Sequence, residues 1–243
     1  MNPILLSDWL PVCAAADVEA IPAEVVLETT KAELMQAMDG NEPSDIWDAI
    51  ALIIKSQPAG PPQPVMYRWD CCSPGQLKYL MGQGLDAPPS IEAYHYIDDP
   101  RLWDIVFHWK DEAMRLYRRP WIPAVIEAGY PVEFRAFVAG GVLRGVSSYY
   151  PQRPLGEKWR PCAEAAGRIT SRLLPHTAER GVMDFSADFL VRASDQHLLF
   201  LEGGPPHLYP PTGPSAHPCC FAEGKISGIA LESQEGALDA RHD

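Results

Sequence analysis

The sequence predicts an α+β fold with mostly antiparallel sheets and flanking helices. Gly140-Gly141 separates two runs that alternate in hydrophobicity, which is a strong signal for a two-residue β-hairpin. A second pair of strand-like runs, at 182–192 and 197–201, flanks a short polar turn. Much of the first half of the chain, together with the segment 161–180, instead carries apolar residues at helical spacing.

The first half is predicted to alternate single strands with helices. Gly40 is a helix-ending residue, Ser44 begins the next helix, and a Pro-rich stretch at 58–64 ends it. The predicted elements in this half are a strand at 25–27, helices at 30–39 and from 44, a strand at 65–69, a helix opened by Ser73-Pro74, and a long helix at 100–117.

In the second half, the strands 132–139 and 142–148 form the first hairpin. Alternation places Glu133, Arg135 and Phe137 on one face of the first of these strands. Two interpretations of the Glu133–Arg135 neighbourhood stay open: the two residues belong to a functional face of the sheet, or they form an ion pair on its exposed surface.

The second hairpin brings two acids together. If its turn is centred on Asp195, residues pair when their numbers sum to 390, so Asp188 faces Glu202. Carboxylates directly opposite each other lie about 5 Å apart and repel unless a proton or a cation lies between them. Because Mg²⁺ is usually held by one or two carboxylates plus substrate phosphates, the pair predicts a magnesium and nucleotide site. The alternative is two unrelated surface acids near a hairpin.

Composition and charge narrow the class of protein. With 243 residues and 47% hydrophobic content, the chain can form one large domain or two small lobes. The net charge of -12 argues against binding to a nucleic-acid backbone. The six cysteines match neither a zinc pattern nor a small disulfide scaffold, and no run approaches 18 consecutive apolar residues. We therefore expect a cytoplasmic protein with reduced thiols and no membrane segment.

The order of these features resembles the ATP-grasp nucleotide-binding fold and, within it, the cell division cycle 123 family. The most specific match is the segment 131–138, which reads Pro-Val-Glu-Phe-Arg-Ala-Phe-Val where the family has Glu-Phe-Arg-x-Phe-Val. The resemblance runs from about residue 65 to residue 206. Weaker matches in the same order are Trp69 with Ser73-Pro74, Arg119-Pro120-Trp121, the segment 145–150 and the segment 201–205.

The resemblance implies a protein that binds ATP and Mg²⁺ with two lobes. Asp188 and Glu202 match the magnesium-binding acids of the family. Arg135 matches the Arg of the Glu-Phe-Arg motif, which is expected to contact phosphate and to have the catalytic role. The other positions implied in cofactor binding are Arg68, Lys78, Glu133, and the segment of Arg119, Trp121 and Ile122, whose backbone is expected to read adenine.

Two positions depart from the family pattern. Gly204 stands where the family usually has an Asn that supplies a third metal contact, which predicts a looser metal site or one completed by water. Gly75 stands where the family has a Lys, and Lys78, three residues later, is a candidate substitute.

The implied organisation is an N-terminal segment at 1–64, a first lobe at 65–119, a second lobe with the metal site at 120–206, and a Pro-rich loop and tail at 207–243. The leading functional hypothesis is an ATP-dependent carboxylate–amine ligase that acts through an acyl phosphate on a carboxylate and an amine still to be identified. The alternative is a non-catalytic ATP-binding factor with a protein client, because the resembled family is associated with assembling a translation initiation factor.

Overall fold

The computed structural model of the chain describes residues 1–40, 44–56, 64–108, 113–150 and 155–205. The chain divides into two compact units, which are residues 21–123 and residues 1–20 together with the chain from 124 onward. The boundaries that the sequence suggests, after residues 64, 119 and 206, stay a prediction, and the C-terminal segment, 207–243, lies outside the described residues.

The described elements include six helices and nine strands. In chain order they are α1 (Leu6–Ala15), β1 (Glu24–Thr30), α2 (Lys31–Asp39), α3 (Asp45–Lys55), β2 (Val65–Trp69), α4 (Gly75–Gly82), α5 (Pro100–His108), β3 (Ala113–Pro120), β4 (Ile126–Glu127), β5 (Tyr130–Pro131), β6 (Glu133–Ala139), β7 (Val142–Ser148), α6 (Arg160–Ala178), β8 (Phe185–Val191) and β9 (Leu198–Gly204), with 3₁₀ turns at Ala93–Tyr96 and Glu157–Trp159.

The unit of residues 21–123 contains a three-stranded antiparallel sheet in the order β1-β3-β2. Local capping sets the ends of its first two helices. The Thr30 side chain accepts a hydrogen bond from the Glu33 amide while the Glu33 carboxylate accepts one from the Thr30 amide, which forms a capping box at the start of α2. Gly40 follows α2 in the left-handed conformation at φ +67°, and Ser44 caps α3.

One predicted element in this unit is wrong. Helix α5 ends at His108, and residues 113–120 form the central strand β3, whereas the sequence suggested a single helix at 100–117. Met114 and Leu116 are buried while Arg115 between them is partly exposed, which is the two-residue period of a strand. Because β3 pairs with β1 on one side and β2 on the other, tertiary pairing outweighs the helical spacing of a few apolar residues.

The other unit contains a four-stranded antiparallel sheet in the order β7-β6-β8-β9. Helices α1 and α6 pack against one face of this sheet, where Trp9, Phe134 and Phe189 belong to the buried core. Gly140 and Gly141 have φ values of +60° and +71°, as a two-residue hairpin turn of this hand requires. The hairpin of β6 and β7, the helix α6 and the hairpin of β8 and β9 lie where the sequence predicts them.

None of the helices in the described part of the chain has the length and the apolar character that crossing a membrane requires.

Asp99 connects two helices of the unit 21–123. Its Oδ2 accepts a hydrogen bond from the amide of Gly75 at the start of α4, at 2.6 Å, and its Oδ1 accepts one from the amide of Arg101 in the first turn of α5, at 2.9 Å. The Arg101 guanidinium also pairs with this buried carboxylate at 3.3 Å. Burial alone raises the pKa of Asp99, but the hydrogen bonds from Arg101 and Gly75 outweigh it and lower that pKa below its ordinary value.

The substitution Asp99→Asn is expected to lower the free energy of unfolding by about 1–3 kcal/mol at neutral pH, because it weakens hydrogen bonds at two helix starts. Since the folded pKa lies below the unfolded value of about 3.9, the carboxylate contributes its full stability above that pH and loses it as the pH falls through the folded pKa. Urea unfolding at about pH 7 and about pH 3 should show the difference between wild type and variant shrinking at the lower pH.

The matched control is Asp98→Asn, since Asp98 is the exposed neighbour of Asp99. It should change the free energy of unfolding little at either pH. A cost of Asp99→Asn that is the same at both pH values would contradict this account of the carboxylate.

Candidate functional site

Four residues form a row across the four-stranded sheet, one on each strand. Arg135 on β6 is directly opposite Ser147 on β7 and Asp188 on β8, and Asp188 is opposite Glu202 on β9. Directly opposite residues in an antiparallel ladder project to the same side of a sheet. The neighbouring positions on these strands, such as Ala187, belong to the core against α1 and α6, so the row lies on the other face, which we call the polar face.

A β-bulge produces the pairing of Asp188 with Glu202. Close to the turn, residues of β8 and β9 pair when their numbers sum to 389, as Phe189 does with Phe200. Leu201 is an extra residue in β9, and beyond it the sum becomes 390, so that Asp188 faces Glu202. Without the bulge, Asp188 would face Leu201 and the two acids would lie on opposite faces.

Arg135 and Asp188 form a bidentate buried ion pair. The Arg135 Nε lies 2.7 Å from Asp188 Oδ1 and its Nη2 lies 2.6 Å from Oδ2. Asp188 is 1% exposed and Arg135 is 8% exposed. Two parallel charge-assisted hydrogen bonds fix both side chains in one orientation, so the cation next to Asp188 in this structure is a guanidinium.

The electrostatic surroundings keep Arg135 charged. Burial alone lowers the pKa of Arg135, but Asp188 raises it, and Tyr149 and Glu202 add to the increase, so that the pKa is held above its ordinary value. The Arg135 guanidinium carbon also lies 4.5 Å from the centre of the Tyr149 ring, which is a cation–π contact.

Tyr150 lies beside the same acids. Burial first, and then the nearby carboxylates of Glu133, Asp188 and Glu202, raise the pKa of Tyr150 above its ordinary value. The ring of Tyr150 lies 5.0 Å from those of Tyr149 and Tyr130. These three tyrosines lie beside the row, and the sequence analysis did not identify them as functional. The alternation of β7 could have indicated Tyr149, because it is two residues after Ser147 and so shares the face of Arg135.

The structure decides one question that the sequence left open. Glu133 and Arg135 do share a face, but Glu133 is 1% exposed and Arg135 bonds to Asp188. The interpretation of Glu133 and Arg135 as an ion pair on an exposed surface is therefore wrong. The expectation that Arg135 contacts phosphate stays a prediction, and in this structure its guanidinium is bonded to Asp188.

The acids of the row suit magnesium in their chemistry. Among the described residues, no cluster of three or more His, Cys, Asp or Glu side chains is arranged to hold a metal ion. Magnesium is commonly held by one or two carboxylates together with phosphate oxygens and water, and Asp188 with the partly exposed Glu202 offers that smaller set. Each carboxylate oxygen has two lone pairs, so Asp188 can bond to Arg135 and still offer an oxygen to a metal.

The remaining predicted site residues belong to the unit 21–123. Arg68 on β2 is opposite Tyr117 and Arg119 on β3 is opposite Met66, so the two arginines share a face of the three-stranded sheet. Both are buried. The Nε of Arg68 donates to the Trp69 carbonyl at 3.0 Å, and Nη2 of Arg119 donates to the Ile21 carbonyl at 2.9 Å.

The predicted adenine-reading segment begins at Arg119 near the end of β3 and continues beyond the strand to Ile122. The buried indole of Trp121 donates to the Leu85 carbonyl at 2.9 Å, and the backbone amide of Trp121 donates to the Pro64 carbonyl at 2.7 Å. Ile122 is half-buried, and Lys78 is a half-buried residue of α4. Trp121 is therefore held in place from both its side chain and its backbone.

Known structures share this architecture. Cdc123 from Schizosaccharomyces pombe aligns with a TM-score of 0.58 at 16% sequence identity, over 87% of this chain and 86% of that chain. A C-terminally truncated Cdc123 from the same organism gives 0.56 at the same identity and coverage. The chain has the ATP-grasp fold. The α+β ATP-grasp prediction, with its resemblance to Cdc123, is confirmed.

A RimK domain ATP-grasp protein from Sphaerobacter thermophilus DSM 20745 is a fainter likeness, with a TM-score of 0.38 at 16% identity, over 84% of this chain and 58% of that chain. No family model matches the sequence. No curated protein matches it either. At 16% identity, the likeness to Cdc123 shows the fold and leaves the activity to be argued from the site.

Asp188→Asn is expected to lower the free energy of unfolding of the metal-free protein by about 3–5 kcal/mol, because it leaves Arg135 buried without its counter-charge. Arg135→Met should cost a similar amount for the same reason. The double variant should cost less than the sum of the two, since both changes break one interaction. Urea unfolding in the presence of a chelator measures all three.

Arg192→Met is the matched control, because Arg192 in the same unit pairs with the more exposed Asp195 and Glu19. It should cost less than about 1 kcal/mol. Costs of Asp188→Asn and Arg135→Met that simply add would show that the ion pair does not couple the two strands.

Proposed function

We propose that this protein binds Mg-ATP, with Asp188 and Glu202 holding the metal ion on the polar face of the four-stranded sheet. The observation that carries the proposal is the cross-strand row, which places two carboxylates opposite each other and fixes one of them with a buried arginine. The ATP-grasp fold supports it, because these residues lie at the positions that the resemblance assigns to magnesium-binding acids.

The three charged residues of the row have distinct parts in this proposal. Arg135 holds Asp188 in one orientation, so that a metal-binding oxygen is in place before nucleotide arrives. Glu202, which is partly exposed and is not the partner of Arg135 in the bidentate pair, supplies the second carboxylate. Bound magnesium would neutralise charge on the phosphates.

The resemblance also assigns nucleotide-binding roles to residues of the unit 21–123. Arg68 is the cation of this unit proposed for phosphate, and Lys78 is a candidate for a further one. The segment from Arg119 to Ile122 is proposed to read adenine through its backbone, and the anchored Trp121 indole holds that segment in place.

We propose further that the bound ATP serves an ATP-dependent carboxylate–amine ligase. In that reaction an oxygen of the substrate carboxylate attacks the γ-phosphorus, and the bond from this phosphorus to the bridging β-phosphate oxygen breaks. ADP departs, and the product is an acyl phosphate. An amine then attacks the acyl carbon, inorganic phosphate leaves, and the amine loses a proton as the amide forms. The protein contributes positioning and charge neutralisation, and no side chain acts as a nucleophile.

A second candidate function is that of a non-catalytic ATP-binding factor that assembles a protein client. The observation that favours it is the likeness to Cdc123, which aligns with a TM-score of 0.58 over 87% of this chain and 86% of that chain. The geometry of Arg135 is compatible with this function. Its guanidinium is bonded to Asp188, and that contact can stabilise a nucleotide site whether or not the nucleotide reacts.

Mg-ATP is expected to stabilise the folded protein by roughly 2.7 kcal/mol at a hundredfold excess over Kd, since it binds only the native state. Glu202→Gln should keep the stability of the ligand-free protein and lose the part of this gain that depends on magnesium. Thermal melting with ATP and magnesium, and with ATP and a chelator, measures both quantities.

Asp195→Asn provides the control, because Asp195 lies at the turn of the same hairpin and pairs with Arg192. It should leave the magnesium-dependent gain intact. A folded wild-type protein whose melting temperature does not change with Mg-ATP would overturn the nucleotide proposal itself.

The ligase and the assembly factor differ in turnover. Once Mg-ATP binding is established, a ligase is expected to release ADP and phosphate only when both a suitable carboxylate and a suitable amine are present. A coupled ADP assay over panels of carboxylates and amines detects this release. Bound ATP that persists without stimulated turnover, together with copurification of a protein client, would replace the ligase proposal with the assembly factor.

A further inference from the structure

Ser186 and Gly204 lie next to the two acids of the row. Ser186 is two residues before Asp188 on β8, and Gly204 is two residues after Glu202 on β9. Ser186 is directly opposite Gly204 just as Asp188 is opposite Glu202. Because residues two apart on a strand share a face, the four positions form a two-by-two group on the polar face.

The space next to Gly204 is filled by the hydroxyl of Ser186. A Cβ atom placed on Gly204 would lie 2.7 Å from Ser186 Oγ, which is closer than such atoms approach each other. The adjacent Gly203 is different, since a Cβ there would overlap the indole of Trp9 in the core on the opposite face. Gly203 therefore makes room for core packing, whereas Gly204 makes room for an oxygen atom on the polar face.

Ser186 has the chemistry of a metal ligand. Its side chain is fully buried, and its hydroxyl donates a hydrogen bond to the Pro205 carbonyl at 3.2 Å. A hydroxyl that donates its one hydrogen still has lone pairs on its oxygen. Neutral oxygen atoms beside carboxylates are suitable ligands for hard cations such as Mg²⁺.

We infer that Ser186 Oγ is the third protein oxygen of the magnesium site. The hydroxyl takes the place of the side chain that Gly204 lacks, and it does so from the opposite strand. This inference rests on the proposed Mg-ATP site and adds to it a residue that the sequence did not identify. It also replaces the expectation of a looser site at Gly204, because the third oxygen comes from β8 instead of β9.

The first test uses Ser186→Ala, with Ser148→Ala as the matched control. Ser148 is also a buried serine of the same sheet whose hydroxyl donates to a carbonyl, that of Tyr150 at 3.4 Å, but it is opposite Phe134 and so lies on the core face. Titration calorimetry should show that Ser186→Ala weakens magnesium-dependent ATP binding by about 10- to 100-fold. Ser148→Ala should change it less than about twofold, and equal effects of the two variants would overturn the inference.

The second test distinguishes ligation from a structural role of the hydroxyl. Ser186→Cys replaces the oxygen by sulfur, which prefers softer cations to magnesium. The ratio of ATP affinity in Cd²⁺ to that in Mg²⁺ should rise by at least about tenfold for Ser186→Cys and stay unchanged for Ser148→Cys. An unchanged ratio for a folded Ser186→Cys protein would show that position 186 does not touch the metal.

The third variant restores the missing side chain. Gly204→Asn alone should destabilise the ligand-free protein, because its Cβ meets Ser186 Oγ, whereas Ser186→Ala combined with Gly204→Asn removes that clash. The double variant should recover magnesium-dependent ATP binding relative to Ser186→Ala. Recovery supports metal ligation at positions 186 and 204, and no recovery in a folded double variant counts against it.

A wild-type protein that binds no Mg-ATP would overturn the proposed function. A wild-type protein that binds Mg-ATP, together with a Ser186→Ala protein that binds it equally well, would overturn only the role of Ser186.

Discussion

The polar face of the four-stranded sheet depends on one buried ion pair. Burying a charge costs several kcal/mol unless a partner with good geometry lies next to it, and Arg135 and Asp188 satisfy each other through two hydrogen bonds. The pair joins β6 to β8, so it is formed only in one register of these strands. A slip of one residue would move Arg135 toward the core face and Phe134 out of it. The ion pair on one face and the aromatic core on the other thus specify the same pairing of strands.

The sequence predicts those features that depend on residues close to each other in the chain. The turn at Gly140-Gly141 and the end of α2 at Gly40 follow from local chemistry. Arg135 and Asp188 are 53 residues apart, and which strand lies beside β6 cannot be read from either hairpin alone. For this reason the pattern of β6 suggests Glu133 as the neighbour of Arg135, whereas the decisive partner comes from another hairpin.

Two elements show how tertiary context changes a local pattern. The sequence predicted that paired residues of β8 and β9 sum to 390, whereas the pairs near the turn sum to 389. The bulge at Leu201 adds one residue to β9, so the predicted pairing of Asp188 with Glu202 is nevertheless observed. In β3, the apolar residues Met114 and Tyr117 have a spacing that a helix also allows. Pairing of β3 with strands on both sides decides in favour of the sheet, since a central strand can hydrogen-bond the backbone groups on both of its edges.

The formal charge of the row favours the proposal that metal and nucleotide bind together at this face. Arg135 balances one of the two acids, Asp188 and Glu202, and the other leaves the row with a formal negative charge. A negative charge at this position repels phosphate groups. In the proposed site, a divalent cation would offset this charge where the phosphates arrive. Arg135 would act on the proposed metal through Asp188, because a carboxylate held by a guanidinium on one side can present its remaining lone pairs to a metal on the other. The residue that the sequence marks as a phosphate contact is therefore, in the structure, the residue that positions the carboxylate proposed to hold the metal.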